Sequence, residues 1–345
     1  MAGSTSAAEA DLNKGAEGSL PEQTVTVDQI KTSATPEPTA TSAPTEPPAD
    51  SAAGETTTEP TAAPTEAPQP DNSGTGETIN VTMNGTAQTM DLVQCLAMVA
   101  QNELGPNAPA EAYKAQCVAT HCWIISQSGY PSVLGAEPGA AALAAAQEVA
   151  HVLVTYNGQV CFTPYFASAS TGTASAAEVW GNDRAWLQAV DSPYDQSVSS
   201  HWNTNGNSSG TARFSRQTLQ DRIRDVMDID LSGVDPNSWF TIQSANQYGW
   251  VAKIQVGPDA GAGTVSGRWF RENLLARQSV DGRSLRSQCF TVSYNADLDC
   301  FIFDVYGYGH GCGMSQWGAI GYARNGWGYQ DILTHYFVGT TITTY

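Results

Sequence analysis

The chain is 345 residues long and strongly acidic, with 15 basic against 34 acidic side chains and a net charge of −19. This charge argues against a nucleic-acid partner, which would require a basic surface. No run of about 18 apolar residues occurs, and the N-terminus lacks a basic segment followed by an apolar one, so neither a membrane span nor a secretory signal is visible.

The N-terminal part has the composition of a spacer rather than of a folded domain. Residues 33–76 are dominated by Thr, Pro, Ala, Glu and Ser, and the first 32 residues show no apolar pattern typical of a core. Such a sequence has too little apolar surface to offset the entropy lost on ordering, and its prolines and like charges favour extension. We therefore predict a disordered spacer at 1–77 and a folded domain at 78–345.

The folded part begins with a predicted hairpin and three helices. Alternation from Ile79 to Met83 ends at Asn84-Gly85, the strongest short hairpin signal, and a second strand follows to Met90. Asp91 can cap the next helix, which places Glu103 near its C-terminal end. The next predicted helices are Pro109 to Ser126 and Ala140 to Ala150.

Strands and helices then mix without regular alternation. The predicted strands are His151 to Tyr156 and, after an Asn157-Gly158 turn, Val160 to Phe166, followed later by strands within 240–256, 290–294 and 301–306. Residues 190–210 are predicted to be a connection, and helices are predicted at Arg216 to Val226, Ser315 to Asn325 and Tyr329 to Phe337. This order predicts an α+β fold, with helices packed on antiparallel strands.

Two segments are candidates for chemistry. Glu103 ends an apolar helix beside Gly105-Pro106, where desolvation would let its carboxyl act as an acid; a solvated helix end is the structural alternative. Near the C-terminus, a glycine-punctuated turn carries His310 and leads through Ser315 and Gln316 into a helix. Glycines there permit close backbone approach, which indicates that the turn positions these side chains.

The seven cysteines are scattered and odd in number, so they indicate mostly buried thiols with one or two disulfides at most. A cysteine hydrolase using Cys312 and His310 lacks a supporting Asn or Asp motif. Cys117 and His121 are four residues apart on one helix face, a spacing that suits zinc, but no third ligand can be named. No cofactor is therefore predicted, and zinc stays open with its ligands unknown.

Seven blocks follow one another along the chain: Glu103 with Lys114 eleven residues later in Ala112 to Trp123, Val154 to Gly158, Ser168 to Gly172, Val179 to Gly181, Val190 to Tyr194, His310 to Ala319, and Ile332 to Thr340. These blocks resemble the stage II sporulation protein D family. They cover nearly all of the chain from about residue 78, at matching spacing.

The resemblance implies a lytic transglycosylase that cuts peptidoglycan between N-acetylmuramic acid and N-acetylglucosamine, in glycan stripped of stem peptides. Glu103 would be its catalytic acid and base. The matching residues expected to bind substrate are Lys114, Gln116, Ser168, Ser170, Thr171, His310, Ser315 and Gln316. Trp180, Trp317 and Tyr194 can stack on sugar rings, although aromatic residues more often belong to a core.

Three positions depart from the family pattern. Ala167 stands where the family commonly has His, and His121 and Cys122 replace an Arg and a Thr. The family also includes amidase enhancers, which bind the wall or a partner hydrolase without cutting glycan, and this is the alternative function. Either activity implies an extracytoplasmic, wall-associated or membrane-anchored protein, so we expect the gene product to carry a signal or anchor absent from this sequence.

Overall fold

The computed structural model describes residues 25–27, 29, 76–83, 85–127, 132–133, 137–199, 210–258, 263–275 and 285–345. Within these residues, helices pack on small, mainly antiparallel sheets, which confirms the α+β prediction. Most of the predicted spacer lies outside the described residues. The described helices include none that is long and apolar enough to cross a membrane.

The helices, in chain order, are α1 (Leu92–Leu104), α2 (Ala110–Gln127), α3 (Ala140–Val149), α4 (Ala176–Trp180), α5 (Asp195–Val198), α6 (Arg216–Met227), α7 (Gly267–Trp269), α8 (Gln316–Arg324) and α9 (Tyr329–Tyr336). A 3-10 turn spans Pro236–Ser238, and α7 continues as a π-helix over Phe270–Leu275.

The strands are β1 (Thr78–Met83), β2 (Thr86–Asp91), β3 (Ser132–Val133), β4 (Val152–Tyr156), β5 (Gln159–Val160), β6 (Tyr165–Phe166), β7 (Gly210–Ser215), β8 (Phe240–Ala245), β9 (Val251–Val256), β10 (Thr264–Ser266), β11 (Phe290–Asn295), β12 (Cys300–Val305), β13 (Met314–Ser315) and β14 (Thr341–Thr344).

The predicted hairpin and the first helices are present. β1 and β2 pair antiparallel, and Gly85 in their turn has φ +81°, as a tight hairpin turn requires. Asp91 caps α1 by accepting a hydrogen bond from the Gln94 amide at 3.1 Å. Helices α1, α2 and α3 pack against one another, and their apolar faces form the centre of the larger hydrophobic cluster.

The predicted strand Val160 to Phe166 is divided into two short strands. β5 pairs with β4, whereas β6 pairs in parallel with β13, some 150 residues later in the chain. Between them, Pro164 has no amide hydrogen to donate, and its carbonyl instead accepts from the Met314 amide at 3.0 Å. This change of partner brings the glycine-rich turn beside the first helices.

A second hydrophobic cluster lies under two further sheets. β7, β12 and β11 form one sheet, and β8, β9 and β10 form the other. Their buried faces contribute aromatic contacts such as the stacking of Trp239 on Phe301 at 5.2 Å. Trp250 packs in the first cluster, where its indole donates to the Gly172 carbonyl at 2.7 Å, while Val251, the next residue and the first of β9, packs in the second.

One part of the predicted spacer contacts the folded domain. The Val25 carbonyl accepts from the Val160 amide at 2.8 Å, and Thr26 pairs antiparallel with Gln159. Val27 is buried in the larger cluster. The composition of the first 32 residues gave no sign of this contact, because a three-residue apolar alternation is too short to predict a strand.

Candidate active site

Two motifs that are far apart in the sequence meet at Glu103. The side-chain amide of Gln316, at the start of α8, donates to Glu103 Oε2 at 2.6 Å across 213 residues of chain. Glu103 is partly exposed near the end of α1, while Gln316 is only 6% exposed. The contact therefore joins a buried donor to a carboxylate that solvent or substrate can reach.

The end of α1 is fixed from the following helix. Gly105, with φ +80°, closes α1 through a hydrogen bond from its amide to the Gln101 carbonyl. The Tyr113 hydroxyl on α2 donates to the Gly105 carbonyl at 2.5 Å. Tyr113 is completely buried, so this bond anchors the segment directly after Glu103.

Tyr165 lies close enough to Glu103 to be affected by its charge, and neither Tyr165 nor its partner Thr120 was identified from the sequence. The Tyr165 hydroxyl hydrogen-bonds to Thr120, and burial together with the negative charge of Glu103 raises the pKa of Tyr165. The amide of Gln116 donates to Thr120 Oγ1 at 3.2 Å. Gln116 is completely buried, and its Oε1 has no hydrogen-bond partner among the described residues.

His310 holds the glycine-rich turn in place. Its Nε2 donates to the Tyr165 carbonyl at 3.0 Å, and its Nδ1 accepts from the Cys312 amide at 3.1 Å. Burial lowers the pKa of His310 to about 3, so the ring is neutral at physiological pH. The side chain is 2% exposed, and its position therefore fits a structural role in the turn rather than the predicted contact with sugar.

The steric need for glycine in the turn is greatest at two positions. A Cβ on Gly311 would lie 2.4 Å from the ring of Trp250, and one on Gly313 would lie 2.1 Å from the Pro164 carbonyl oxygen. Both residues also have positive φ, 86° and 83°. The prediction that these glycines serve close backbone approach agrees with this geometry.

The ammonium of Lys114, a predicted substrate-binding residue, is engaged by two glutamates. It forms ion pairs with Glu111 at 2.8 Å and with Glu148 at 2.7 Å, and the second pair joins α2 to α3. The spacing of eleven residues did not reveal this, because the turn between α1 and α2 sets which faces of the two helices meet. These pairs give Lys114 a structural explanation.

The loop after β6 is mostly buried. Ser168 donates to the Asp195 carboxylate at 3.2 Å, and Ser170 donates to the Tyr248 carbonyl at 2.8 Å. Thr171 is exposed and is the member of this predicted set that substrate can reach. Ser315 caps α8 by accepting from the Gly318 amide at 3.1 Å, as its position before the helix predicted.

The aromatic candidates have different surroundings. Trp180 lines a cleft of about 600 Å³ between α4 and the strands β9 and β10, with Trp269, Lys253 and Arg268 on the opposite side. Tyr194 instead packs edge to face on Tyr322, with ring centres 5.0 Å apart. Trp317 is partly buried against the larger cluster. Trp269 was not identified from the sequence.

The thiols are not arranged as a nucleophile or a metal site. All seven cysteines are buried thiols, and the one or two disulfides that the sequence allowed are not formed. Burial raises the pKa of Cys312 well above its usual range, which disfavours the reactive thiolate. Cys117 donates to the Leu96 carbonyl at 3.6 Å, and the described residues contain no group of three or more His, Cys, Asp or Glu suited to a metal.

Comparison with known proteins supports the family resemblance. No family model matches the chain. A stretch of 285 residues, 72% of this chain, is 24% identical to the amidase enhancer of Bacillus subtilis (strain 168) and covers 40% of that protein. A stretch of 191 residues, 55% of this chain, is 26% identical to stage II sporulation protein D of the same strain and covers 48% of it. The protein of that name from Bacillus amyloliquefaciens gives 26% identity over 55% of this chain and 47% of the relative.

The chain thus spans less than half the length of each of these curated relatives. The matches carry the two names that the sequence blocks had indicated. They support an assignment to the stage II sporulation protein D family.

Proposed function

We propose that this member of the stage II sporulation protein D family is a lytic transglycosylase that acts on peptidoglycan glycan strands in sporulation or wall remodelling. The observation that carries the proposal is the 2.6 Å hydrogen bond from Gln316 to Glu103. It joins the family's upstream glutamate block to its C-terminal glycine-rich block around one partly exposed carboxylate. The activity implies a location outside the cytoplasm.

A single carboxylate suits this reaction. Protonated Glu103 gives its proton to the glycosidic oxygen, the bond from that oxygen to C1 of N-acetylmuramic acid breaks, and N-acetylglucosamine leaves with a free hydroxyl. The carboxylate then accepts the proton of the muramic C6 hydroxyl while O6 bonds to C1. The product is a 1,6-anhydro ring, Glu103 is protonated again, and no water is consumed.

The residues around Glu103 support this cycle. Gln316 orients the carboxylate and, as a hydrogen-bond donor, stabilises its charged form between the two proton transfers. A hydrolase would need a second carboxylate to attack or to activate water. The groups described above around Glu103 are instead the side-chain amide of Gln316 and the neutral hydroxyl of Tyr165. The ammonium of Lys114 is paired with other glutamates.

An isotope experiment tests the reaction type. Glycan strands freed of stem peptides would be digested in water enriched in oxygen-18, and the masses of the products would be measured by mass spectrometry. Intramolecular attack predicts anhydro-muramic ends that contain no oxygen-18. Reducing ends carrying oxygen-18 would show hydrolysis and would overturn the single-carboxylate mechanism.

The second candidate is a non-catalytic enhancer of a cell-wall amidase. The match to the amidase enhancer covers 72% of this chain, against 55% for the sporulation protein, which favours this candidate. Ala167 and His121, which replace family residues, also fit a protein without cleavage activity. Glycan binding and amidase stimulation without any cleavage product, unchanged by Glu103→Gln, would establish the enhancer.

A further inference from the structure

The carboxylate of Asp195 is completely buried behind the start of α8. It accepts hydrogen bonds from Ser315 Oγ at 2.5 Å, Ser192 Oγ at 2.6 Å, the Ala169 amide at 2.7 Å and Ser168 Oγ at 3.2 Å. All four donors are neutral. A buried carboxylate is costly unless its oxygens are hydrogen-bonded, and this one is served by four donors in a fixed arrangement.

The donors come from separate segments of the chain. Asp195 begins α5, Ser168 and Ala169 follow β6, and Ser315 precedes α8. Ser192 adds a link to α9, because its hydroxyl lies 2.6 Å from the Tyr336 hydroxyl. The carboxylate therefore holds together separate elements, and its most distant direct donor, Ser315, lies 120 residues further along the chain.

The link from Asp195 to Glu103 runs through the start of α8. Ser315 donates to Asp195 while its oxygen accepts from the Gly318 amide at 3.1 Å and the Ala169 amide at 3.2 Å, so the hydroxyl is fixed on three sides. The next residue is Gln316, whose amide donates to Glu103. The position of that amide depends on how α8 begins.

We propose that Asp195 is a positioning residue, which holds Ser315 and the start of α8 so that the Gln316 amide meets the Glu103 carboxylate. The proposal rests on the proposed transglycosylase function for its effect on rate. A serine that only caps a helix needs no buried carboxylate behind it, since its oxygen alone satisfies the helix amides. Asp195 acts through Gln316 and does not touch substrate.

The kinetic test is a double-mutant cycle between positions 195 and 316. Asp195→Ala is expected to lower kcat roughly 10- to 100-fold, with KM within about threefold, because a hydrogen bond to a charged group is lost at the start of α8 and Glu103 is mispositioned. Asp195→Asn should regain most of the rate, since its amide oxygen still accepts from Ala169 and Ser315. In a protein that already carries Gln316→Ala, adding Asp195→Ala should not lower kcat further.

Two results would overturn the proposal. One is an unchanged kcat in a folded Asp195→Ala protein, and the other is a double variant whose kcat is lowered by the product of the two single-variant factors. Should Asp195→Ala fail to fold, Ser315→Ala removes the connecting hydroxyl together with the cap of α8, and the same cycle applies. Asp304→Asn is the matched control, because it removes a carboxylate that accepts from the Thr211 hydroxyl at 2.8 Å between β12 and β7, in the sheet that packs on the other hydrophobic cluster.

A spectroscopic measurement tests the positioning role of Asp195 independently of enzymatic activity. The side-chain amide signals of Gln316, assigned by their loss in Gln316→Ala, would be recorded in ¹⁵N-labelled, deuterated protein without substrate. Asp195→Ala or Ser315→Ala should move these signals upfield, toward those of a solvated amide, while Asp304→Asn leaves them in place. Unmoved signals would refute the link even in an active enzyme. If the wild type cuts no glycan, the function fails, but this readout still decides the positioning role.

Discussion

Replacing Gln316 with Ala tests the contact on which the candidate site depends. The variant removes one hydrogen bond, 2.6 Å long, from a buried amide to the Glu103 carboxylate. A hydrogen bond to a charged group contributes about 1.5–3 kcal/mol. If this bond acts mainly when Glu103 is ionised between the two proton transfers, the loss corresponds to roughly a 10- to 150-fold lower kcat at about 1.4 kcal/mol per factor of ten.

The assay is the initial rate at which anhydro-ended fragments form from stem-peptide-free glycan, measured over a range of glycan concentrations. Gln330→Ala is the matched control, because Gln330 is exposed and its amide donates only to the Tyr329 hydroxyl at 3.2 Å. We expect the control to keep the wild-type rate. A Gln316→Ala enzyme with kcat within twofold of wild type, or with only KM raised, would refute a role for this amide in the chemical step.

Three further predictions follow from individual contacts. Lys114→Met should lower the free energy of unfolding in urea by only about 1 kcal/mol, since the ion pairs that it removes are partly exposed. It should change kcat by less than about threefold, and a tenfold loss of kcat would instead indicate a contact with substrate. Gly311→Ala should lower the free energy of unfolding by roughly 2–4 kcal/mol, because the added Cβ clashes with Trp250 and the backbone has a positive φ. Gly326→Ala, which also has a positive φ but has open space around the added Cβ, should lower it by about 1 kcal/mol. Equal losses in the two variants would contradict the steric argument. The buried thiols should react with iodoacetamide only after the protein is unfolded. Rapid labelling of the native protein, with loss of activity, would instead indicate a catalytic cysteine.

Elements with a strong local signal could be predicted from the sequence. The hairpin at Gly85, the cap at Asp91 and the cap at Ser315 each depend on a few neighbouring residues, and the structure contains all three. The strand after Asn157-Gly158 was predicted as one element, but its second part pairs with Met314–Ser315 instead. Local propensity carries no information about such a distant partner.

The site was predicted in part for the same reason. Family spacing brought Glu103 and Gln316 together as candidates, and their side chains are in contact. Tyr165 and Asp195 were missed because an isolated Tyr or Asp has no distinctive spacing. Lys114 was predicted to bind substrate, and its ion pair with Glu148 could not be foreseen because it depends on the packing of α2 against α3.

The most direct test of the central claim compares three proteins on the same glycan: wild type, Glu103→Gln and Glu148→Gln. The last is a matched control, because Glu148 is a 60% exposed side chain that pairs with Lys114 on the same group of helices. Anhydro-muramic ends from the wild type and the control, with at least a 100-fold loss in Glu103→Gln, are the predicted result. Equal product from all three proteins would contradict the assignment of Glu103 as the catalytic acid and base.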